Sequence, residues 1–358
     1  MHIPDGYLSP STCAVLYAGA GVGWYGALRR LKRAFMTRLI PLISVFAAFS
    51  FVVMMFNLPL PGGTTGHAIG VTIAAIVLGP SGAILAISIA VTIQALFFGD
   101  GGITTLGANC FNMAIVGSLV AYATYRLVAT GARITSRRRV VAAAAAGYLA
   151  ANAAAFVAAI EFGIQPILFH NANGVPLYAP YPLSIAIPAM MIGHLAVAGI
   201  AEAVIAAGLV AYLEVADPSL LRSTSGLPDS GTLRLQPAPQ NSLRKLWITV
   251  ALLMLLTPLG ILAGGTAWGE WSTNRMNAAG YTEISPGSQT LPQPSAASAG
   301  LQRLSSLWTA PIPNYAPQFV KSPSFGYLLS AMFGVGLLIV SSLLLQRLFE
   351  SRRDAGQP

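Results

Sequence analysis

Apolar segments long enough to cross a lipid bilayer are the feature that most constrains how this chain folds. The hydrocarbon core of a bilayer is about 30 Å thick and a helix rises about 1.5 Å per residue, so a spanning helix needs roughly 20 apolar residues. Nine candidate segments lie near 10–28, 39–57, 66–79, 82–98, 105–128, 141–162, 184–212, 246–264 and 324–345. We therefore predict an all-α integral membrane protein.

Two regions depart from the pattern of simple spans. The third and fourth segments are short and meet at Gly79-Pro80-Ser81-Gly82, a combination that breaks helices. They are either two separate spans or a re-entrant pair. The stretch 142–159 is rich in alanine and only weakly hydrophobic, so we expect it to pack inside the helix bundle.

Charged residues are too few for a protein of this size to be soluble in water. They make up 9% of the 358 residues, against about 25% in a typical soluble domain, while hydrophobic residues make up 55%. The formal net charge of +9 would suggest nucleic-acid binding in a soluble protein. The positions of the cations therefore decide what the charge means.

The basic residues cluster on one side of the predicted membrane. If the N-terminus lies outside and all nine segments span, seventeen of the twenty lysines and arginines are cytoplasmic, in the clusters 29–38, 126–139, 222–245 and 347–353. The positive-inside rule then predicts that the N-terminus is outside and the C-terminus cytoplasmic. The clusters set topology and contact anionic lipid headgroups, and docking of a cytoplasmic partner is an open alternative. Nucleic acid is not expected as a partner.

The composition divides the chain into two membrane modules. Residues 1–214 hold about seven spans, and residues 215–243, rich in Ser, Pro and Gly, are predicted to form a cytoplasmic linker. Residues 244–358 hold two further spans, separated by an outside loop near 265–322. This arrangement suggests a main subunit fused to an accessory one.

The first two residues carry an unusual set of nitrogen atoms. The sequence Met1–Gly6 lacks the basic region of a signal peptide, and the large His2 side chain blocks removal of the initiator methionine, so we expect a free Met1 amine. That amine, the backbone nitrogen of His2 and Nδ1 of its imidazole can close five- and six-membered chelate rings around one metal ion. They would supply three nitrogens in one plane.

His67 is the candidate for a fourth nitrogen. It follows the run 61–66, whose glycines allow close approach of the backbone and which ends in Thr65 and Gly66. It begins the third apolar segment, on the same side as Met1. Four nitrogens in a plane suit Ni²⁺ or Cu²⁺. From the residues alone, the alternative is an ordinary exposed N-terminus and a structural His67.

These residues lie in motifs that resemble the CbiM/NikM family, the substrate-capture (S) components of energy-coupling-factor transporters for nickel and cobalt. The matching segments are MHIPDGYLSP at 1–10, PGGTTGH at 61–67, DGGITTLGAN at 100–109, FNM at 111–113, and His194 with Glu202. The resemblance implies Ni²⁺ or Co²⁺ as the transported substrate, bound in a near-square plane by the Met1 amine, the backbone and imidazole nitrogens of His2, and the imidazole of His67. It also implies an N-terminal segment inserted into the bundle from outside. Its implied partners are a transmembrane coupling (T) subunit and cytoplasmic ATPase subunits.

The C-terminal module is similar to the accessory N component of these transporters. The matching pieces are LGILA at 259–263, TAWGEW at 266–271, APIPNY at 310–315 and GYLLSA at 326–331. The Pro-Asp-Gly-Leu-Glu string of that component is absent, which leaves the boundaries and the role of this module open.

Four polar residues in apolar segments are candidates for supporting roles. Asn109 and Asn112 are three residues apart and share a helix face, so they either hold the metal-bearing loops and His67 in place or bind helices together. His194 and Glu202 lie about 12 Å apart along a helix, too far to bind one ion together. A structural hydrogen-bond network is the favoured interpretation of that pair, although ionisable groups inside a membrane are often functional.

Three functions from different classes fit the sequence to different degrees. The leading hypothesis is a capture subunit for Ni²⁺ or Co²⁺, which depends on a partner for energy because the chain has no G-x-x-x-x-G-K-[ST] motif. A proton-coupled secondary transporter would need a relay of ionisable residues, for which only His194 and Glu202 are available. An intramembrane metalloenzyme would need an open metal position and a general base.

Overall fold

The computed structural model describes residues 1–34, 39–56, 58–60, 64–224, 240–262, 298–304 and 307–354 of the chain. Within these ranges the chain is almost entirely helical. The α-helices are α1 (Pro10–Ala34), α2 (Ile40–Met54), α3 (Val71–Ile93), α4 (Leu106–Asn109), α5 (Gly117–Ala129), α6 (Arg137–Gly163), α7 (Gln165–Leu168), α8 (Leu183–Gly193), α9 (Gly199–Ala216), α10 (Gln240–Leu256), α11 (Ala299–Leu304) and α12 (Pro323–Asp354).

Shorter elements continue or join these helices. Turns of π-helix lie at Gln94–Phe98, Cys110–Val116 and His194–Ala198, and turns of 3₁₀-helix lie at Pro218–Thr224, Thr257–Leu262 and Pro313–Tyr315. The strands β1 (Leu58–Leu60) and β2 (Thr64–Gly66) pair as an antiparallel hairpin that leads directly into His67.

In the described part of the chain, six helices are long and apolar enough to cross a membrane. They run over Val71–Phe98, Leu106–Ala129, Arg137–Leu168, Leu183–Ala216, Leu243–Ile261 and Pro323–Leu344, and the apolar α2 is shorter. The predicted all-α membrane architecture is confirmed. The third and fourth predicted segments, however, belong to a single helical run.

Helix α3 reverses direction at Gly79. This residue has φ 71° and ψ 171° and precedes Pro80, in a backbone conformation essentially restricted to glycine. His67 before the helix and Asp100 after it both contact His2, whereas a straight helix of 23 residues would separate its ends by about 35 Å. The helix therefore consists of two arms, and the break lies where the sequence predicted it.

The first arm of α3 is too short to cross a bilayer. It covers 71–78, a length of about 12 Å, which is less than half of the hydrocarbon core. The segment predicted at 66–79 is thus a half-span, closer to the re-entrant alternative than to two complete spans. Its short length is what leaves His67, which precedes it, in the interior of the bundle.

The alanine-rich helix α6 lies inside the bundle, as predicted. Its small side chains allow α5, α8 and α9 to pack closely against it. The fully buried alanines of its predicted stretch are Ala142, Ala143, Ala146, Ala150, Ala151, Ala154, Ala155, Ala158 and Ala159.

The C-terminal module packs directly on the core. Helix α12 lies against α2, and the Tyr327 hydroxyl donates a hydrogen bond of 2.7 Å to the carbonyl oxygen of Met55. Much of the predicted outside loop 265–322 and residues 225–239 of the predicted linker 215–243 lie outside the described residues. The two described ends of the linker are helical, and the domain boundaries stay predictions.

Candidate metal centre

The first nine residues run through the interior of the helix bundle. Met1 and His2 are each 3% exposed. Ile3, Tyr7 and Leu8 are also buried. This course agrees with the inserted N-terminal segment that the family resemblance implies.

Asn109 holds the backbone immediately after His2. Its Oδ1 accepts a hydrogen bond of 2.8 Å from the Ile3 amide, and its Nδ2 donates one of 3.0 Å to the Ile3 carbonyl. The Gly102 amide and the Thr105 hydroxyl donate to the same carbonyl. Of the two roles predicted for Asn109, the geometry matches the one in which it holds the metal-bearing segment.

Asp5 fixes the other end of this short segment against the loop after α3. Its carboxylate accepts hydrogen bonds from the Ile103 amide at 3.1 Å, from the Thr104 amide at 2.7 Å, and from the Thr104 hydroxyl. A Cβ added at Gly102 would lie 2.3 Å from the Asp5 amide nitrogen, so only glycine permits this approach. The backbone that follows His2 is thus fixed at both Ile3 and Asp5.

The imidazoles of His2 and His67 face each other, as the sequence predicted for two ligands of one ion. The distance from His2 Nδ1 to His67 Nε2 is 3.2 Å, and the ring centroids are 4.9 Å apart. Two nitrogens bound at a right angle to one metal, each at about 2.0–2.1 Å, lie about 2.9 Å apart. The separation of these two nitrogens is therefore within a few tenths of an ångström of the one that a shared ion requires.

His67 is held in the form that a metal ligand requires. Its Nδ1 lies 3.1 Å from the Ala68 carbonyl oxygen, which places the ring proton on Nδ1 and leaves the Nε2 lone pair facing His2. His67 Nε2 is therefore available to bind an ion.

Side chains alone do not build a metal site in the described residues, which contain no group of three or more His, Cys, Asp or Glu placed to hold an ion. A four-nitrogen site at His2 and His67 would therefore also need backbone nitrogens, which the sequence analysis predicts to be the Met1 amine and the His2 amide.

Asp100 begins the family-like motif 100–109, and on the sequence alone it is only a weak candidate for a role at the site. Its Oδ1 lies 3.0 Å from His2 Nδ1, and its Oδ2 accepts a hydrogen bond of 2.6 Å from the Tyr315 hydroxyl. Burial raises the pKa of Asp100, but the charge and hydrogen bond of His2 outweigh it and hold the pKa below its usual value. The DGG sequence at 100–102 was the available signal, and only the fold brings it to His2.

Glu202 supports the segment that carries His67. Its carboxylate accepts hydrogen bonds from the amides of Ile69 and Gly70, each at 2.8 Å, and from that of Thr72 at 3.2 Å. These donors are free because the first amides of a helix have no partner within it. The favoured structural interpretation of Glu202 fits, with the addition that the network it forms includes the His67 loop.

The other predicted supporting residues occupy different positions. Asn112 donates a hydrogen bond of 2.8 Å to Glu161, away from His67, so it binds helices together. His194 Nδ1 pairs with the Met190 carbonyl at 2.8 Å, and His194 and Glu202 have separate partners. Thr65 and Gly66 lie in strand β2, which brings the chain to His67.

This arrangement of helices is also found in solved proteins. One, described as a truncated transition metal transporter, has 51% sequence identity and a TM-score of 0.56, covering 60% of this chain and 98% of its own. A second, described as a transition metal transporter, has 51% identity and a TM-score of 0.57, covering 60% and 92%. The fold is that of a multi-pass membrane transport protein.

Residues 2–220 match the model of the CbiM family, the cobalt uptake substrate-specific transmembrane region. The chain belongs to this family. The fused nickel transport protein NikMN of Rhodobacter capsulatus is 51% identical over 357 residues, 99% of this chain and 100% of that protein. This alignment therefore includes the C-terminal module.

Further relatives are named for either nickel or cobalt. The probable fused nickel transport protein LarMN of Lactiplantibacillus plantarum is 43% identical, over 77% of this chain and 79% of its own. The cobalt transport protein CbiM of Geobacter sulfurreducens is 31% identical, over 76% and 74%. The relatives are transport proteins, which agrees with the prediction that the chain is not an enzyme.

Proposed function

We propose that this protein captures Ni²⁺ or Co²⁺ from outside the cytoplasmic membrane and serves as the S component of an energy-coupling-factor transporter. The observation that carries the proposal is the approach of His2 Nδ1 to His67 Nε2 at 3.2 Å inside the helix bundle. Membership of a metal-uptake family supports it. The names of the relatives support nickel or cobalt as the transported ion.

In this proposal four nitrogens bind the ion: the Met1 amine, the His2 backbone nitrogen, His2 Nδ1 and His67 Nε2. The amine has a reference pKa of about 7.7–8.0 and must lose its proton to bind. Ligation by the backbone amide removes a second proton and leaves one negative charge on the ligand set. Asp100 and Glu202 place further negative charge around the two histidines, which favours a buried divalent cation.

The planar arrangement favours nickel. Four nitrogens in a square plane suit Ni²⁺ better than ions that prefer tetrahedral or octahedral surroundings. Some relatives are named as nickel transport proteins and others as cobalt transport proteins, so cobalt is the alternative substrate. Calorimetric titration of the purified protein with each ion distinguishes the two.

Energy for transport comes, in this proposal, from other subunits. The sequence has no phosphate-binding motif for ATP, so a membrane coupling subunit and cytoplasmic ATPases must supply it. An N-terminus on the outside gives His2 access to external metal. The basic clusters then face the cytoplasm, where the ATPases and anionic lipid headgroups lie.

The two alternative functions have less support. A proton-coupled transporter needs ionisable groups that are free to exchange protons, but three backbone amides occupy the Glu202 carboxylate. His194 pairs with a backbone carbonyl instead of with Glu202. A metalloenzyme needs an open coordination position, and the four-nitrogen plane provides none in its plane.

The proposal is tested by extending the N-terminus by two residues. A single added residue would place His2 third in the chain, where the amine, two amides and one imidazole form a four-nitrogen chelate without His67. Two added residues avoid this and also bury an extra segment beside Asp100. We expect tight nickel binding to be lost, measured by titration calorimetry and by the absorption of planar Ni²⁺.

The same two residues added at the C-terminus provide the matched control and should leave nickel binding unchanged. Circular dichroism and thermal unfolding of both proteins establish that the bundle is intact. Nickel binding of equal strength in the N-terminally extended, folded protein would contradict the proposed site.

A further inference from the structure

The C-terminal module reaches the metal centre through the segment 307–315. Trp308 Nε1 donates a hydrogen bond of 2.9 Å to the Leu96 carbonyl, and the Ile312 amide donates one of 2.9 Å to the Phe97 carbonyl. Both carbonyls lie in the π-helical turn that ends α3, and the last carbonyls of a helix have no partner within it. The module therefore caps the helix that precedes Asp100.

Tyr315 occupies a buried position at the end of this segment. Its ring stacks on Phe98 with centroids 4.7 Å apart, and it is 5% exposed. Gln94 Nε2 donates a hydrogen bond of 3.0 Å to its hydroxyl oxygen. The position of both the ring and the hydroxyl is thus determined by α3.

The backbone at Tyr315 is also constrained. Asn314 and Tyr315 have φ values of 55° and 57°, in the left-handed region that non-glycine residues rarely adopt. Residues stay in this region only where the surrounding contacts hold them, and they concentrate at functional sites.

The Tyr315 hydroxyl is the donor to Asp100. Burial and the neighbouring Asp100 charge raise the pKa of Tyr315 well above its usual value, so the hydroxyl keeps its proton. It donates to Asp100 Oδ2 at 2.6 Å, and Asp100 Oδ1 lies 3.0 Å from His2 Nδ1. A continuous chain of contacts therefore runs from the C-terminal module to the nitrogen that faces His67.

We infer that Tyr315 is a positioning residue for metal capture: it holds the Asp100 carboxylate beside His2 Nδ1, where the negative charge favours a divalent ion shared by His2 and His67. The C-terminal module thereby completes the metal centre of the core. This inference rests on the proposed function. It assigns a task to a module whose sequence alone left its role open.

The test is the substitution Tyr315→Phe, which removes the hydroxyl and keeps the ring that stacks on Phe98. We expect nickel affinity to fall about tenfold, the lower end of the usual loss when an outer-shell partner of a metal site is changed. The control is Tyr327→Phe, which removes another buried hydroxyl of the same module, bound to the Met55 carbonyl. It should leave nickel affinity unchanged.

A double-mutant cycle separates positioning from general stability. In an Asp100→Ala background, Tyr315→Phe should have no further effect on nickel affinity, because Tyr315 acts through Asp100. In the metal-free protein, nitrogen-15 NMR of the His2 ring should change with Tyr315→Phe and not with Tyr327→Phe. Equal losses in both backgrounds, or an unchanged His2 signal, would overturn the inference.

The two proposals fail in different ways. If wild-type protein binds neither nickel nor cobalt at its N-terminus, the proposed function is wrong. If wild-type protein binds nickel and Tyr315→Phe binds it equally well, the capture site stands and the positioning role is wrong.

Discussion

Glu202 shows at the scale of one residue how a membrane protein uses a buried charge. The side chain is 1% exposed, and burial of an unpaired carboxylate is costly. Three backbone amides of the His67 loop satisfy it, and hydrogen bonds to a charged acceptor are stronger than neutral ones. The same contacts fix the loop two residues beyond His67.

Replacing Glu202 by Gln should weaken nickel binding about 10- to 100-fold. The Gln side chain has only one acceptor oxygen, and its NH₂ group would face backbone amides that also donate, which leaves them without an acceptor. Glu214→Gln is the matched control, because Glu214 lies on the same helix and accepts a hydrogen bond of 3.2 Å from the Ser136 amide, in the turn before α6, instead of from the His67 loop. Titration calorimetry measures both. Equal affinities for the two variants would show that Glu202 does not hold His67.

Helix α3 shows at the scale of an element how a break can place a ligand. Val71–Leu78 would be part of an ordinary span if the helix were straight. The reversal at Gly79 shortens this arm, so the loop before it begins inside the bundle instead of at the membrane surface. His67 reaches the buried N-terminal segment for that reason.

Gly79→Ala should destabilise the protein by about 1–3 kcal/mol, because a side chain is strained in this backbone conformation. An added Cβ would have nothing within 4 Å, so the loss arises from the backbone alone. Gly21→Ala in α1 also meets nothing within 4 Å and should be neutral or stabilising by up to about 1 kcal/mol. Unfolding of both variants in detergent provides the comparison; a loss of stability in Gly21→Ala as large as in Gly79→Ala would contradict this account.

The whole molecule joins a metal-capture core to a module that contacts it near the candidate site. Helix α12 packs on α2, and the segment 307–315 packs on the end of α3. Fusion in one chain keeps the two modules together at every protein concentration. The asymmetric distribution of lysine and arginine predicts one orientation of this unit in the membrane.

The topology is tested with single cysteines. Asn173 lies in an exposed loop predicted to be outside, and Thr135 lies in an exposed turn predicted to be cytoplasmic. The two variants are Asn173→Cys and Thr135→Cys. A membrane-impermeant maleimide should label the first in intact cells and the second only after permeabilisation. The native Cys13 and Cys110 are buried and should react little; the reverse labelling pattern would overturn the predicted orientation.

The sequence by itself determined the membrane environment, the helical class and the break at Gly79, because these depend on local composition and backbone freedom. It also led to the prediction of Met1, His2 and His67 as metal ligands, since a terminal amine next to a histidine is a local chelate and the flanking motifs resemble a known family. Asp100 and Tyr315 are 215 residues apart, and no local pattern relates them. Only the tertiary structure brings them to His2, because their contact depends on how the C-terminal module packs against α3.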